Sequence, residues 1–303
     1  MEPKNTLEQE IKESRKRFFR LWSPVLLHQA GLIAGSFAMT FIVIIIYAMR
    51  YPQTIEKAAA DQDAMQTLIT TLSNITNQYS LFAIGIGSFI LIFIFIRMYQ
   101  KDKNSIPATE VREKNGSVKY LILVGISICV HYVLNNLIFV SEIDKSTESY
   151  TQIQELFYSP SIGVQLVVLV LITPICEELV YRGLVYRRLR ERSGFIRAGI
   201  LSSLIFSFVH GNIVQMIYAF CVGMLFAYLC EKFNTVIAPI IAHALMNLMS
   251  IVLTDVGFYN ILVDNTSILM ITTIVVSGVG AVLFLYIMKI NENDMNNQKI
   301  NKK

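Results

Sequence analysis

Residues 162–182 read IGVQLVVLVLITPICEELVYR, an apolar run long enough to span a bilayer that ends in two glutamates and an arginine. A transmembrane helix needs about 20 mostly apolar residues, and further segments of the chain approach this requirement. The eight candidate spans are 26–48, 81–96, 120–140, 162–180, 196–209, 213–230, 236–253 and 268–288. The predicted fold is therefore all-α, a polytopic membrane bundle of about eight helices, of which the fifth is short.

The composition favours a membrane protein and excludes other classes. Of the 303 residues, 54% are hydrophobic and 16% are charged, whereas a soluble domain carries about 25% charged residues. The 7 prolines and 15 glycines are too few for a collagen-like or low-complexity chain. The four cysteines form no Cys-x-x-Cys pair, so we expect neither a disulfide framework nor a zinc knuckle.

Lysine and arginine alternate between rich and poor connections along the chain. From the N-terminal tail to the C-terminal tail, the segments outside the spans carry six, two, six, one, six, none, one, none and four of them. This alternation predicts eight spans with both termini in the cytoplasm. The net charge of +4 then marks the cytoplasmic leaflet, where anionic lipid attracts it, so we expect membrane lipid as a partner and no nucleic acid.

The spans divide the chain into five predicted parts, each defined by its composition. They are a basic cytoplasmic tail (1–24), three membrane helices (25–159) with an outer loop at 49–78, a core (160–253), a last membrane helix (254–289) and a polar cytoplasmic tail (290–303). The first span is long enough to act as an uncleaved anchor. The outer loop has a polar composition that leaves open whether it is helical.

Polar and charged groups within the apolar part of the chain concentrate in three short motifs. They are Glu-Glu-x-x-x-Arg at 177–182, Phe-x-x-x-His at 206–210 and His-x-x-x-Asn at 243–247. Ionisable residues at membrane depth are costly and usually functional. His28 and His131 also lie in spans, but no motif surrounds them, and we interpret them as structural.

Helical spacing separates the two glutamates. Glu178 and Arg182 are four positions apart with the acid first, the favourable order for an ion pair. Glu177 points about 100° away and has no such local partner. Glu177 and His210 are equally far in sequence from the turn at 193–194, so an antiparallel hairpin would hold them at one depth.

These groups suit water-mediated hydrolysis of an amide. A carboxylate in a poorly solvated cavity can take a proton from water, and a neighbouring imidazole can orient that water. An imidazole and a carboxamide from another helix can donate to the oxyanion. Zinc is an alternative, held by Glu177, His210 and His243, although His-Glu-x-x-His is absent. We favour a mechanism without metal or other cofactor.

The three motifs together resemble the CPBP group, which contains the CAAX proteases and bacteriocin-processing enzymes (Abi) and is related to type II CAAX prenyl endopeptidases. The resemblance covers roughly residues 160–253. It implies an intramembrane endopeptidase in which Glu177 and His210 activate water, His243 and Asn247 bind the oxyanion, and Glu178 and Arg182 brace the site.

The expected substrate is a membrane-associated peptide or protein at the cytoplasmic leaflet, of the prenylated or the bacteriocin and signal type. The breadth of the family favours a bacterial cell membrane as the location. Two alternatives stay open, a non-catalytic scaffold or bacteriocin self-immunity protein of the same fold and, as a weaker one, a transporter. A transporter would place interrupted helices in both halves of the chain, whereas the polar motifs occupy only the second half.

Overall fold

The computed structural model describes residues 3–104, 116–141, 156–258 and 265–300, and these are almost entirely helical. The helices are α1 (Pro3–Arg50), α2 (Pro52–Ala60), α3 (Gln62–Asn104), α4 (Gly116–Ser141), α5 (Ile162–Arg190), α6 (Phe195–Phe208), α7 (Ile213–Phe233), α8 (Ile237–Asp255) and α9 (Thr266–Ile300). The described ranges contain no strand.

The prediction of a polytopic helical bundle is confirmed. Among the described residues, seven helices are long and apolar enough to cross a membrane. The fifth candidate span corresponds to α6, which has 14 residues and ends before it could cross a bilayer. The protein is therefore an integral membrane protein with seven long helices and one short apolar helix in the part of the chain described above.

The N-terminal third is more helical than its composition indicates. The segment that we treated as a tail belongs to α1, which is continuous from Pro3 to Arg50. The segment 49–78, expected as an outer loop, holds the end of α1, the short helix α2 and the first turns of α3. Asp61 is extended between α2 and α3. The polar residues at 62–78 continue the helix that crosses the membrane, because neither glycine nor proline interrupts them.

Pro24 creates a contact between α1 and the turn that joins α5 to α6. Proline has no N–H, so the carbonyl of Arg20, four residues earlier, lacks its helical donor. The side chain of Arg188 donates to this carbonyl through Nη1. Arg20 in turn binds the carboxylate of Glu191 through two hydrogen bonds of 2.8 and 2.9 Å.

Two arginines near the end of α5 bind neighbouring helices. Arg188 is buried, and its Nε donates to Oδ2 of Asp102 on α3 at 2.6 Å. Arg187 lies over the ring of Tyr99, 5.1 Å from its centroid. The α5–α6 turn is therefore fixed to α1 and α3 at one end of the bundle.

Helix α5 occupies the centre of the bundle, in contact with α1, α3, α6, α7 and α8. Its segments Leu166–Ile172 and Leu179–Tyr186 are π-helical, and the segment Thr173–Glu178 between them is α-helical. All residues from Leu179 to Tyr186 are buried. π-Helical turns are rare and occur often at functional sites. The acidic pair therefore lies at a change of helical register.

Candidate active site

One cavity of about 400 Å³ brings the predicted site residues together. Glu177, His210, His243 and Asn247 all line it, although they come from α5, the α6–α7 turn and α8. The side chain of Glu177 keeps 16% of its surface accessible, so water can reach its carboxylate. The cavity wall also includes residues of α1, α3, α4 and α7.

Glu178 is the central acceptor of a buried ionic group. Its side chain is completely buried, and Oε1 accepts from Nη1 of Arg182 at 3.1 Å and from Nδ1 of His243 at 3.0 Å. Because the paired carboxylate accepts, Nδ1 of His243 carries a proton. Nε2 of His243 lies on the opposite side of the ring, 3.9 Å from Oε2 of Glu177. The predicted Glu178–Arg182 pair is present, and its bond to His243 is an addition that spacing along one helix could not reveal.

The guanidinium of Arg182 packs against α6 and α7. Its guanidinium lies over the rings of Phe206 and Phe226, 4.3 and 5.2 Å from their centroids, and Nη2 donates to the carbonyl of Gly223 at 3.2 Å. A Cβ at position 223 would lie 3.0 Å from Nη2. Glycine is therefore needed there for the close approach of α7, and the buried pair with Glu178 has a fixed geometry.

His210 follows the end of α6 in a turn. Its Nδ1 lies 2.8 Å from the carbonyl oxygen of Phe206, which can only accept, so the proton of the neutral ring is on Nδ1 and Nε2 is an acceptor. Gly211 has a φ of +78°, in the left-handed region that favours glycine, and the chain then turns into α7. The Asn212 side chain caps α7 by accepting from the N–H of Gln215 at 2.9 Å.

The two imidazoles share aromatic neighbours. The ring of Phe206 is 4.8 Å from that of His210 and 6.1 Å from that of His243. The ring of Phe226 stacks on His243 at 5.0 Å with an interplanar angle of 24°. The aromatic residue of the 206–210 motif therefore lies between the two histidines and also covers Arg182.

Asn247 lines the cavity, and one of its amide hydrogens is already in use. Its Nδ2 donates to the carbonyl of Leu169 at 2.7 Å. In the π-helical register there, the N–H of Thr173 bonds to Val168, so the donor for Leu169 would be residue 174. Pro174 has no N–H, which leaves this carbonyl available. The second hydrogen of Nδ2 remains for a ligand in the cavity.

The three residues of the zinc alternative share the cavity but are not grouped as metal ligands. Within the described ranges, no three His, Cys, Asp or Glu side chains are grouped so that they could hold a metal ion. Glu177, His210 and His243 share the cavity without forming such a group. The donor set that zinc prefers is therefore not assembled by these side chains.

The cavity also contains side chains that sequence reasoning did not assign to it. His28 and Gln29 of α1 and Tyr218 of α7 line the wall, and Asn135 of α4 does so as well. The only sequence signal that could have placed His28 in the cavity is helical spacing, since His28, Gln29 and Leu32 lie on one face of α1. No motif connects that helix to the second half of the chain.

Comparisons with known proteins agree with the resemblance of the motifs. Residues 159–249 match the family model described as type II CAAX prenyl endopeptidase Rce1-like. A Bacillus subtilis (strain 168) protein, named "Putative membrane peptidase YdiL", is 29% identical over 93 residues, which are 31% of this chain and 38% of that protein. No solved structure matches the chain. The family-model match spans all three motifs, and both comparisons agree with the resemblance to the CAAX proteases.

Proposed function

We propose that the protein is an intramembrane endopeptidase in which Glu177 activates a water molecule. The family match and the name of the Bacillus relative support a membrane protease of the CAAX type. The observation that carries the proposal is the position of His243, whose ring lies between the ionised Glu178 and the water-accessible Glu177. A purely structural ion pair would not need a second, partly exposed carboxylate on the far side of the imidazole.

The chemistry follows from the hydrogen-bond assignments. Glu177 takes a proton from water while the water oxygen forms a bond to the carbonyl carbon of the substrate. Nε2 of His210 is an acceptor and orients this water. When His243 holds a proton on each ring nitrogen, Nδ1–H donates to the Glu178 carboxylate and Nε2–H donates to the oxyanion, and the free N–H of Asn247 is the second donor. The C–N bond then breaks, and Glu177 returns its proton to the leaving amine.

The proposed substrate is a membrane-associated peptide, either prenylated or of the bacteriocin and signal type, cleaved at the cytoplasmic leaflet. The description of the matched family supports a prenylated chain, and a bacterial cell membrane is the location that we propose. The mainly apolar cavity suits a peptide that is delivered from the lipid phase. Membrane lipid is the constant partner of the apolar outer surface of the bundle.

The test uses purified protein in liposomes with an internally quenched farnesylated peptide that ends in Cys-aliphatic-aliphatic-X, and with the same peptide without the farnesyl group. We expect cleavage of the farnesylated peptide that Glu177→Gln abolishes. Glu56→Gln makes the same chemical change at an exposed position of α2 and should leave cleavage unchanged. Equal cleavage by wild type and Glu177→Gln would contradict the mechanism.

A comparison of the peptides that accumulate in cells with and without the chain extends this test beyond the two probes. A scaffold or self-immunity protein would give the same biological effect with Glu177→Gln as with wild type. A peptidase would give different peptide pools, and the termini of the accumulated peptides would identify the bond that it cleaves.

A further inference from the structure

Helix α1 contributes a polar face to the cavity, although it lies outside the segment that matches the family. His28, Gln29 and Leu32 line the cavity wall and share one side of the helix. The exposed large side chains of α1, such as Phe37 and Phe41, lie on its other sides. A helix with this distribution packs one narrow face inward, and here that face carries a histidine and a glutamine.

His28 is buried without the hydrogen bonds that a buried imidazole requires. It is 2% exposed, and neither of its ring nitrogens has a hydrogen-bond partner among the residues that the structure describes. A neutral imidazole has one donor and one acceptor, and leaving either of them buried and unpaired is unfavourable. Buried polar groups in proteins are nearly always paired, so the missing partner is expected to come from whatever fills the cavity.

The second histidine outside the three motifs provides a contrast. His131 of α4 is completely buried, but its Nδ1 lies 3.1 Å from the hydroxyl of Tyr218, and its ring does not line the cavity. His131 is therefore satisfied by the protein itself, as expected of a structural histidine. His28 differs in both respects.

His28 also belongs to the aromatic group that surrounds the reacting residues. Its ring meets that of Tyr181 edge-on at 6.0 Å, and Tyr181 lies 5.0 Å from Phe206, which contacts His210 and His243. His28 and His210 both line the cavity, as does Glu177. A peptide whose scissile bond lies between Glu177 and His210 would therefore extend towards α1.

We propose that His28 is a substrate-binding residue that forms hydrogen bonds with the peptide backbone beside the scissile bond. Each peptide unit offers one N–H and one C=O, which matches the donor and acceptor of a neutral imidazole. The inference rests on the proposed function. It makes the N-terminal helix a part of the active site.

The test measures steady-state cleavage of the quenched farnesylated peptide by His28→Leu and His28→Gln. Loss of one hydrogen-bonded contact should raise KM about tenfold in His28→Leu, with kcat changed less than about twofold. His28→Gln keeps a donor and an acceptor and should restore most of the affinity. A fall in kcat at constant KM, or an unchanged KM, would overturn the inference.

Thermal unfolding in detergent separates binding from structure. Leucine removes two unpaired polar atoms, so His28→Leu should unfold at the same temperature as wild type or above it. His131→Leu breaks the bond to Tyr218 and should unfold at a lower temperature. A decrease for His28→Leu as large as that for His131→Leu would identify His28 as structural and overturn the inference.

A binding measurement distinguishes failure of this inference from failure of the proposed function. The unlabelled farnesylated peptide is titrated into Glu177→Gln and into Glu177→Gln with His28→Leu, and we expect about tenfold weaker binding by the second protein. Cleavage by wild type with equal binding by both proteins would overturn the role of His28 alone. Neither cleavage by wild type nor binding would overturn the proposed function and, with it, the inference.

Discussion

Nδ1 of His243 lies 3.0 Å from Oε1 of Glu178, across 65 positions of the chain. This bond joins α5 to α8 and assigns the proton of the imidazole, because the same carboxylate oxygen also accepts from Arg182. The glutamate that looked structural in the sequence therefore also controls the orientation of a proposed catalytic residue. One oxygen of Glu178 thus binds both Arg182 and His243, so its structural role and its proposed catalytic role cannot be separated.

Glu178→Gln should lower both stability and activity. The change leaves Arg182 buried without a counter-charge, at a cost of about 3–5 kcal/mol, and replaces the charged acceptor that orients His243 with a neutral amide oxygen. The free energy of unfolding and the rate of peptide cleavage measure the two effects. Glu13→Gln is the matched control, because Glu13 and Arg17 form an exposed pair with the same spacing, worth less than about 1 kcal/mol. Equal destabilisation by the two variants would contradict the buried pair.

Gly223→Ala should destabilise the protein by about 1–3 kcal/mol, since the added Cβ would lie 3.0 Å from Arg182 Nη2 and from Cβ of Ser203. Cleavage should decrease as well, because Arg182 must move. Gly278→Ala in α9 adds the same atom where nothing lies within 4 Å, and it should be neutral or slightly stabilising. Unfolding in denaturant measures both, and a neutral Gly223→Ala would show that the helices can separate without cost.

Pro174→Ala should reduce cleavage while leaving the fold intact. The alanine N–H can bond to the carbonyl of Leu169 and compete with Asn247 Nδ2, which would then lose its anchor in the cavity. Loss of one oxyanion donor lowers kcat by about 100-fold or more, and partial displacement should give a smaller decrease. Pro24→Ala restores a helical N–H at a proline that does not line the cavity, and it serves as the control with normal kcat. Normal kcat in Pro174→Ala would mean that Asn247 does not depend on this carbonyl.

Removal of metal tests the zinc alternative directly. We expect cleavage to survive dialysis against a strong chelator, because Glu177, His210 and His243 do not form a ligand group. Metal analysis of the dialysed protein accompanies the rate measurement. Activity that disappears on chelation and returns only with added zinc would establish the metal mechanism.

The sequence predicted the features that depend on apolar runs and on helical spacing within short segments. Apolar runs located the spans, and spacing of three or four residues assigned Glu178 to Arg182 and separated Glu177 from them. The hairpin argument placed Glu177 and His210 at one depth, and both line the same cavity in the structure. These inferences depend only on helical geometry and on the thickness of a bilayer.

The remaining features depend on which helices meet, and local spacing does not contain this information. The bond from Glu178 to His243 and the presence of His28 in the cavity are contacts between distant segments. The extension of α1 into the predicted tail was missed because its polar composition resembles a loop, and the helical state of 62–78 was left open for the same reason. The π-helical register of α5 likewise has no sequence signature that we recognised.

Because α1 forms part of the cavity wall, a functional fragment of the chain has to include this helix. A fragment that starts at residue 159, where the family match begins, would lack the helix that forms one side of the cavity. Lipid acyl chains could then enter beside Glu177. The segment that matches the family model is then shorter than the smallest part of the chain that can function on its own. A shortened version of the protein, or a transfer of its cavity to another chain, therefore has to include the first helix.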